Sequence, residues 1–267
     1  MSVKSASLIL TVVLVISAFA QGQTKAGAKG AIKIKPDASD CLATFNNALP
    51  HFCVTQNGNI ENFEFPAGTS QIFTEGYGIC DETTDITSYF DIGRGDSGNW
   101  LPAIVTAGGA NNKLPLTIVR TTSDGIWTIT QTFTRNPGDE YVKVQIILKN
   151  NTAVTRELFM TRYVDIDADG IASDNFFQGD ANSAFGFLSL NEHFPNHGLM
   201  LHAIGSPHNY FGYTVGAGDA DPCNFTPNDV VGSTNGDEAV MYTWAPNGSF
   251  SIPAKKSIKV NLEYRAM

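Results

Sequence analysis

From Ile126 to Arg135 the chain alternates. Trp127, Ile129 and Phe133 fall on one face, and Thr128, Thr130 and Thr132 on the other. Residues 141–149 alternate likewise, with Val142, Val144, Ile146 and Leu148 set against Lys143, Gln145 and Lys149. Residues 154–165 repeat the theme. In the last run Ile258, Val260, Leu262 and Tyr264 oppose Lys259, Asn261, Glu263 and Arg265. A period of two with one polar face predicts half-buried antiparallel strands. Asn57-Gly58, Asp124-Gly125, Pro137-Gly138, Asn150-Asn151, Asn235-Gly236 and Asn247-Gly248 supply turns between the runs. No later stretch carries a helical stripe. The pattern predicts an all-β domain over residues 38–267, a large two-sheet antiparallel β-sandwich of about a dozen or more strands. The absence of a fixed-period repeat disfavours a propeller. An outer-membrane barrel would also alternate, but it needs an apolar outer band, and here the polar faces carry Lys, Arg and Glu.

The N-terminus breaks this pattern. Lys4 precedes an apolar run from Leu8 to Ala20 that ends in Ala18-Phe19-Ala20. A charged start, a short apolar stretch and a small-x-small end predict a signal peptide over residues 1–20, cleaved before Gln21. The run is short for a bilayer span, and no later stretch matches it, so no transmembrane segment is expected after cleavage. Residues 21–37 are rich in Gly, Ala and Lys and read as a flexible linker. Export places the protein outside the cell or in a periplasm.

Hydrophobic residues make up 42% of the 267 positions and charged residues 16%, a balance that supports a sizeable core and excludes a disordered chain. The net charge is −9. Residues 1–36 hold five Lys and no acid, so the remainder carries 12 basic against 26 acidic groups, net −14. That field argues against nucleic acid as a partner and favours cations. The four cysteines, Cys41, Cys53, Cys80 and Cys223, suggest two disulfides in an exported chain. Three pairings are possible. Cys41–Cys53 with Cys80–Cys223 is favoured, because the first two flank one short stretch.

The segment Gln131–Asn151 (QTFTRNPGDEYVKVQIILKNN) followed by Arg156–Asp165 (RELFMTRYVD) resembles the central hairpin of galactose-mutarotase-like supersandwiches. The resemblance covers about forty residues and consists of strand pattern and a strand, Asn, turn, strand layout. It implies a large two-sheet fold found in carbohydrate-active proteins. The family's catalytic His and Glu have no matching positions here, so its activity is not implied.

The strongest candidate for chemistry is Asp165-Ile166-Asp167-Ala168-Asp169-Gly170. Alternate carboxylates before a glycine suit a hard cation, which wants several oxygen ligands around a tight turn. The twelfth position from Asp165 is Phe176, so this is no EF-hand. In an irregular loop Asp174 or Asp180 would substitute for the missing acid, and Asp174 is taken to complete a structural Ca2+ site with Asp165, Asp167 and Asp169. Four histidines lie close in sequence, His193, His197, His202 and His208, and are candidates for ligand binding. Pro195 excludes a helical zinc pair between the first two. Trp100 follows a Gly-rich loop, where an exposed ring would stack on a sugar. Gly95-Asp96-Ser97-Gly98 resembles a serine-protease nucleophile segment, but Asn99 and the missing upstream histidine segment exclude a triad.

These features together lead to an exported β-sandwich that binds an extracellular ligand, a glycan or envelope component, with structural calcium and without evident catalysis. A mutarotase-like epimerase or lyase, and a purely structural or adhesive module, are the alternatives.

Overall fold

The computed structural model describes residues 33–34, 41–93, 95–108, 112–188, 197–205, 210–225, 227–229, 233–244 and 249–267. The expected signal peptide and most of the linker lie outside them. The chain forms β1 (Lys33–Ile34), β2 (Cys41–Phe45), β3 (His51–Thr55), β4 (Ile60–Glu64), β5 (Thr74–Asp81), β6 (Thr87–Ile92) and β7 (Gly95–Asp96). It continues with β8 (Ile104–Ala107), β9 (Leu116–Thr121), β10 (Trp127–Thr134), β11 (Tyr141–Asn150), β12 (Arg156–Asp165), β13 (Asn175–Gly179) and β14 (Ser183–Leu188). The remaining strands are β15 (Gly198–Ala203), β16 (Tyr210–Gly216), β17 (Pro227–Asp229), β18 (Ser233–Gly236), β19 (Glu238–Trp244), β20 (Phe250–Ile252) and β21 (Ser257–Ala266).

The strands form two large antiparallel sheets. The first runs β1-β7-β6-β5-β12-β19-β16-β17, with β20 on β12. The second runs β18-β13-β14-β15-β21-β11-β10-β9-β8. A small third sheet, β2-β3-β4, accompanies them. The architecture is the expected all-β sandwich. Within the segment expected to be a linker, β1 pairs with β7.

The second sheet follows the sequence pattern closely. Strand β10 alternates buried and half-buried residues along its whole length, and β11 does so over most of its own. Trp127, Ile129, Phe133, Val142, Val144, Ile146 and Leu148 point inward and meet Tyr77, Ile79, Leu158, Met160 and Val164 in one core. Each fully buried Val, Leu, Ile or Phe contributes about 1.5–3 kcal/mol. The first sheet departs from the pattern: β5, β12 and β19 are buried on both faces for much of their length. A second apolar cluster, Ile92, Tyr163, Tyr213, Val215, Ala239 and Met241, lies apart from the main core and is joined by Ala220 and Phe225 from the chain after β16. The Cys80–Cys223 disulfide ties that stretch to β5. Gly78 makes room for it, since a Cβ there would stand 2.7 Å from Pro222. The other bridge, Cys41–Cys53, joins β2 to β3. Both disulfides are the favoured pairing.

The resemblance segment splits between the layers. Strands β10 and β11 pair as a hairpin in the second sheet, and β12 crosses to the first. Asn150 knits the crossing. Its buried amide donates to the carbonyls of Val154 and Ile252, and its Oδ1 accepts from Thr152.

The turn between β3 and β4 inserts into the polar part of the core. Ile60 N donates to Glu75 Oε2 at 2.8 Å, Tyr77 Oη donates to Asn57 O at 2.8 Å, and Arg162 Nη2 donates to Gly58 O. Gly58 sits at φ +93°, and a Cβ would stand 2.4 Å from Gln131 Nε2. The Asn57-Gly58 turn predicted from sequence thus also fills the interior.

Candidate functional site

Strand β12 delivers its last residue, Asp165, next to the start of β19, because the two strands pair with Asp165 opposite Ala239. Asp237, two residues before Ala239, therefore reaches the same corner. Beyond Asp165 the buried side chain of Ile166 anchors the chain, and Asp167 follows at the entry to a tight turn over Ala168–Gly170. Asp165, Asp167 and Asp237 offer ligand oxygens that all lie within 4.8 Å of one another. Asp165 is 5% exposed, and its Oδ1 has no hydrogen-bond partner among the described residues. Burial, followed by repulsion from Asp167 and Asp237, pushes the Asp165 carboxyl up to about 7. Burial and Asp237 push Asp167 upward too. Three carboxylates held together against their mutual repulsion could hold a metal ion, and the all-oxygen donor set fits a hard divalent cation.

Two of the four sequence-predicted metal residues belong to this group. Asp169 does not. It adopts φ 57°, accepts a hydrogen bond from Gln71 Nε2 at 2.9 Å and pairs with His197 Nδ1 at 3.0 Å. Asp174 takes the Ser173 hydroxyl at 2.9 Å and is not in the trio either. Sequence reasoning missed Asp237, which is 72 positions from Asp165. Its one sequence signal is the Asn235-Gly236-Asp237 turn.

Two of the four clustered histidines, His197 and His202, are among the described residues. His197 pairs with Asp169. His202 lies on β15 across from Glu263 and belongs to the outer face of the second sheet. His193 and His208 lie outside the described residues. Trp100 corrects the expectation of an exposed ring: it is 5% exposed, and its Nε1 donates to Phe90 O at 3.1 Å. Tyr77 and Tyr89 meet the Trp100 ring edge-on, and the Arg120 guanidinium lies 4.9 Å from its centre. The ring has no open face for a sugar. Burying its apolar surface against these aromatics outweighs exposure of a loop tryptophan.

A cleft of about 440 Å³ opens elsewhere on the surface, lined by Phe45, Asn47, Asn112, Arg135, Asn136 and Pro137 among others. Arg135 holds its wall, donating to the carbonyls of Ala48 and Pro50 and to Asn47 Oδ1.

No family model matches the chain, and no curated protein matches it. Among solved structures it is similar to a bacterial glucoamylase complexed with acarbose, with a TM-score of 0.60 and 12% identity over 90% of this chain. The chain spans 34% of that protein's length. It is also similar to the Slr1438 protein from Synechocystis sp. PCC 6803, with a TM-score of 0.50 and 7% identity, covering 86% of this chain and 97% of that one. At these identities the likeness is one of fold. The two disulfides suggest an oxidising, extracellular environment. Among the described residues no helix is long and apolar enough to cross a membrane.

Proposed function

We propose that the chain is a secreted or periplasmic β-sandwich that binds a glycan, braced by a structural Ca2+ held by Asp165, Asp167 and Asp237. The observation that carries the binding reading is the cleft. Asn47, Asn112 and Asn136 line it beside Leu114 and Pro137, and Arg135, Thr44 N and Asp139 fix their carboxamides through one atom each. Fixed polar groups beside a smaller apolar surface suit a ligand rich in hydroxyls. The resemblance to galactose-mutarotase-like supersandwiches and the likeness to a glucoamylase sandwich support a carbohydrate context. Binding is preferred to catalysis because neither His197 nor His202 lines the cleft. The test is a glycan array probed with the mature, oxidised chain. A hit that weakens in Asn112→Ala and Asn136→Ala supports the reading, and no hit above an unrelated β-sandwich overturns it.

The calcium part rests on the unpartnered Asp165 oxygen. A bound cation would replace the missing donor and neutralise the carboxylates. Thermal unfolding with added calcium against EDTA tests it: an upward shift that Asp237→Asn removes supports the site, and unchanged midpoints overturn it.

A further inference from the structure

We propose that the outer face of the second sheet is a docking surface for an acidic glycan, whose sugar rings carry carboxylate or sulfate groups. The inference rests on the glycan reading above, adds a contact surface besides the cleft, and names the ligand class. Residues directly paired across antiparallel strands present their side chains to the same face. The register therefore places Gln178, Phe185, Met200, Arg265 and Tyr141 in one row across five strands. At the usual strand spacing that row spans roughly 19 Å. Phe187 widens it, with its ring centre 5.1 Å from Phe176 and 6.3 Å from Phe185. These apolar side chains are half-buried and keep part of their surface open to solvent.

The adjoining rows are polar. His202, Glu263, Lys143 and Thr134 form the next, followed by Asn261, Gln145, Thr132 and Thr117. In the latter, Gln145 Nε2 donates to Asn261 Oδ1 at 3.2 Å, and the two threonine hydroxyls meet at 3.1 Å. Rings for stacking thus lie beside amides and hydroxyls suited to sugar hydroxyls.

The charge selects the acid. The chain carries −9 overall, yet this face carries Lys143, Lys149, Lys259 and Arg265 along β11 and β21. Among the described residues on these strands, Glu263 is the carboxylate on the same face, and Arg265 already pairs with it at 2.6 Å; Asp139, in the turn before β11, hydrogen-bonds the Tyr141 hydroxyl at the end of the row. The Arg265 guanidinium also lies 5.0 Å from the centre of the Tyr141 ring. A local positive face on an acidic body orients a polyanion onto that face and repels it elsewhere. The cations are too few and too spread for nucleic acid to be the favoured occupant.

The test is calorimetric titration of the mature, oxidised chain at low salt with short oligogalacturonates, and with maltooligosaccharides of equal length. The uronate should bind, weaken with added salt, and weaken about tenfold in Lys143→Gln/Lys259→Gln and in Phe185→Ala. The lysine variant changes solvent-facing side chains and leaves no cavity, so it keeps the test decisive if Phe185→Ala unfolds. Uronate binding unchanged in the lysine variant overturns the inference. Binding of the neutral sugar alone overturns it while leaving the glycan reading intact. Binding of neither counts against both. Tighter binding to a single-stranded oligonucleotide or to anionic phospholipid vesicles than to the uronate also overturns it.

Discussion

The side-chain amide of Asn59 donates to Asp91 Oδ1 at 2.6 Å, while Asp91 Oδ2 receives Arg120 Nη1. All three residues are buried. A turn residue from the smallest sheet thus completes an ion pair in the interior of the sandwich. Asn57 adds a second amide to Asp91 Oδ2 at 3.0 Å. Buried charges are tolerated where each oxygen keeps a partner, and removing one partner costs more than the hydrogen bond itself. Asn59→Ala is therefore expected to destabilise the fold by about 2–3 kcal/mol. Denaturant unfolding checks this, and a loss below about 0.5 kcal/mol would contradict the role assigned to the turn.

The neighbouring network predicts a pH dependence. Glu75 receives Tyr264 Oη at 2.6 Å and Ile60 N at 2.8 Å, and it pairs with Arg162. Burial nevertheless outweighs these and pushes its carboxyl from 4.5 up to about 7. Burial likewise pushes Asp91 up to about 6. A carboxyl whose folded value is raised binds its proton more tightly in the folded state. Its contribution to stability is then full below the unfolded value and lost as pH rises through the folded one. Between about pH 5 and pH 8 in EDTA, stability should fall more steeply with pH in the wild type than in Glu75→Gln. Parallel profiles in a denaturant series would count against this.

Asp165 gives a prediction with two signs. Without cation, its charge is opposed by burial and by Asp167 and Asp237. Asp165→Asn removes that charge and should raise the melting temperature in EDTA by a few degrees. The same change should abolish the rise that calcium produces in the wild type. Scanning calorimetry in the two buffers separates these effects. An Asn variant that still gains from calcium would remove Asp165 from the site.

The bridge between Cys80 and Cys223 closes a separation of 143 residues. In the chain-entropy account such a loop stabilises by about 4–5 kcal/mol. The Cys80→Ser/Cys223→Ser variant should lose stability of that order. It should also bind an apolar dye, since the stretch it frees packs Phe225 against Tyr213 and Phe159. Unchanged dye fluorescence would show that the stretch stays seated without its tether.

The second sheet was legible in the sequence because its central strands face core on one side and solvent on the other. That asymmetry writes a period of two into β10, β11 and β21. The first sheet was less legible. Strands β5, β12 and β19 are buried on both faces, so polar residues such as Glu75 and Arg162 serve the interior and interrupt the alternation. Trp100 stands in a Gly-rich loop sequence, yet Tyr77 of β5, Tyr89 of β6 and Arg120 of β9 converge on its ring, which no local pattern shows.

The acidic corner divides in the same way. Asp165 and Asp167 stand out in the sequence because local spacing and a following glycine bring carboxylates onto one turn. Whether Asp169 joins them depends on Gln71 and His197, which compete for it from 98 and 28 positions away. Asp237 takes its place through the pairing of β12 with β19. The sequence by itself determined the strand alternation, the turns and the supply of cysteines, since each is set by neighbours a few residues apart. Only the tertiary structure decided which buried charges meet, which face is doubly covered and which third carboxylate completes the corner, because those depend on strand order and register between segments far apart in the chain.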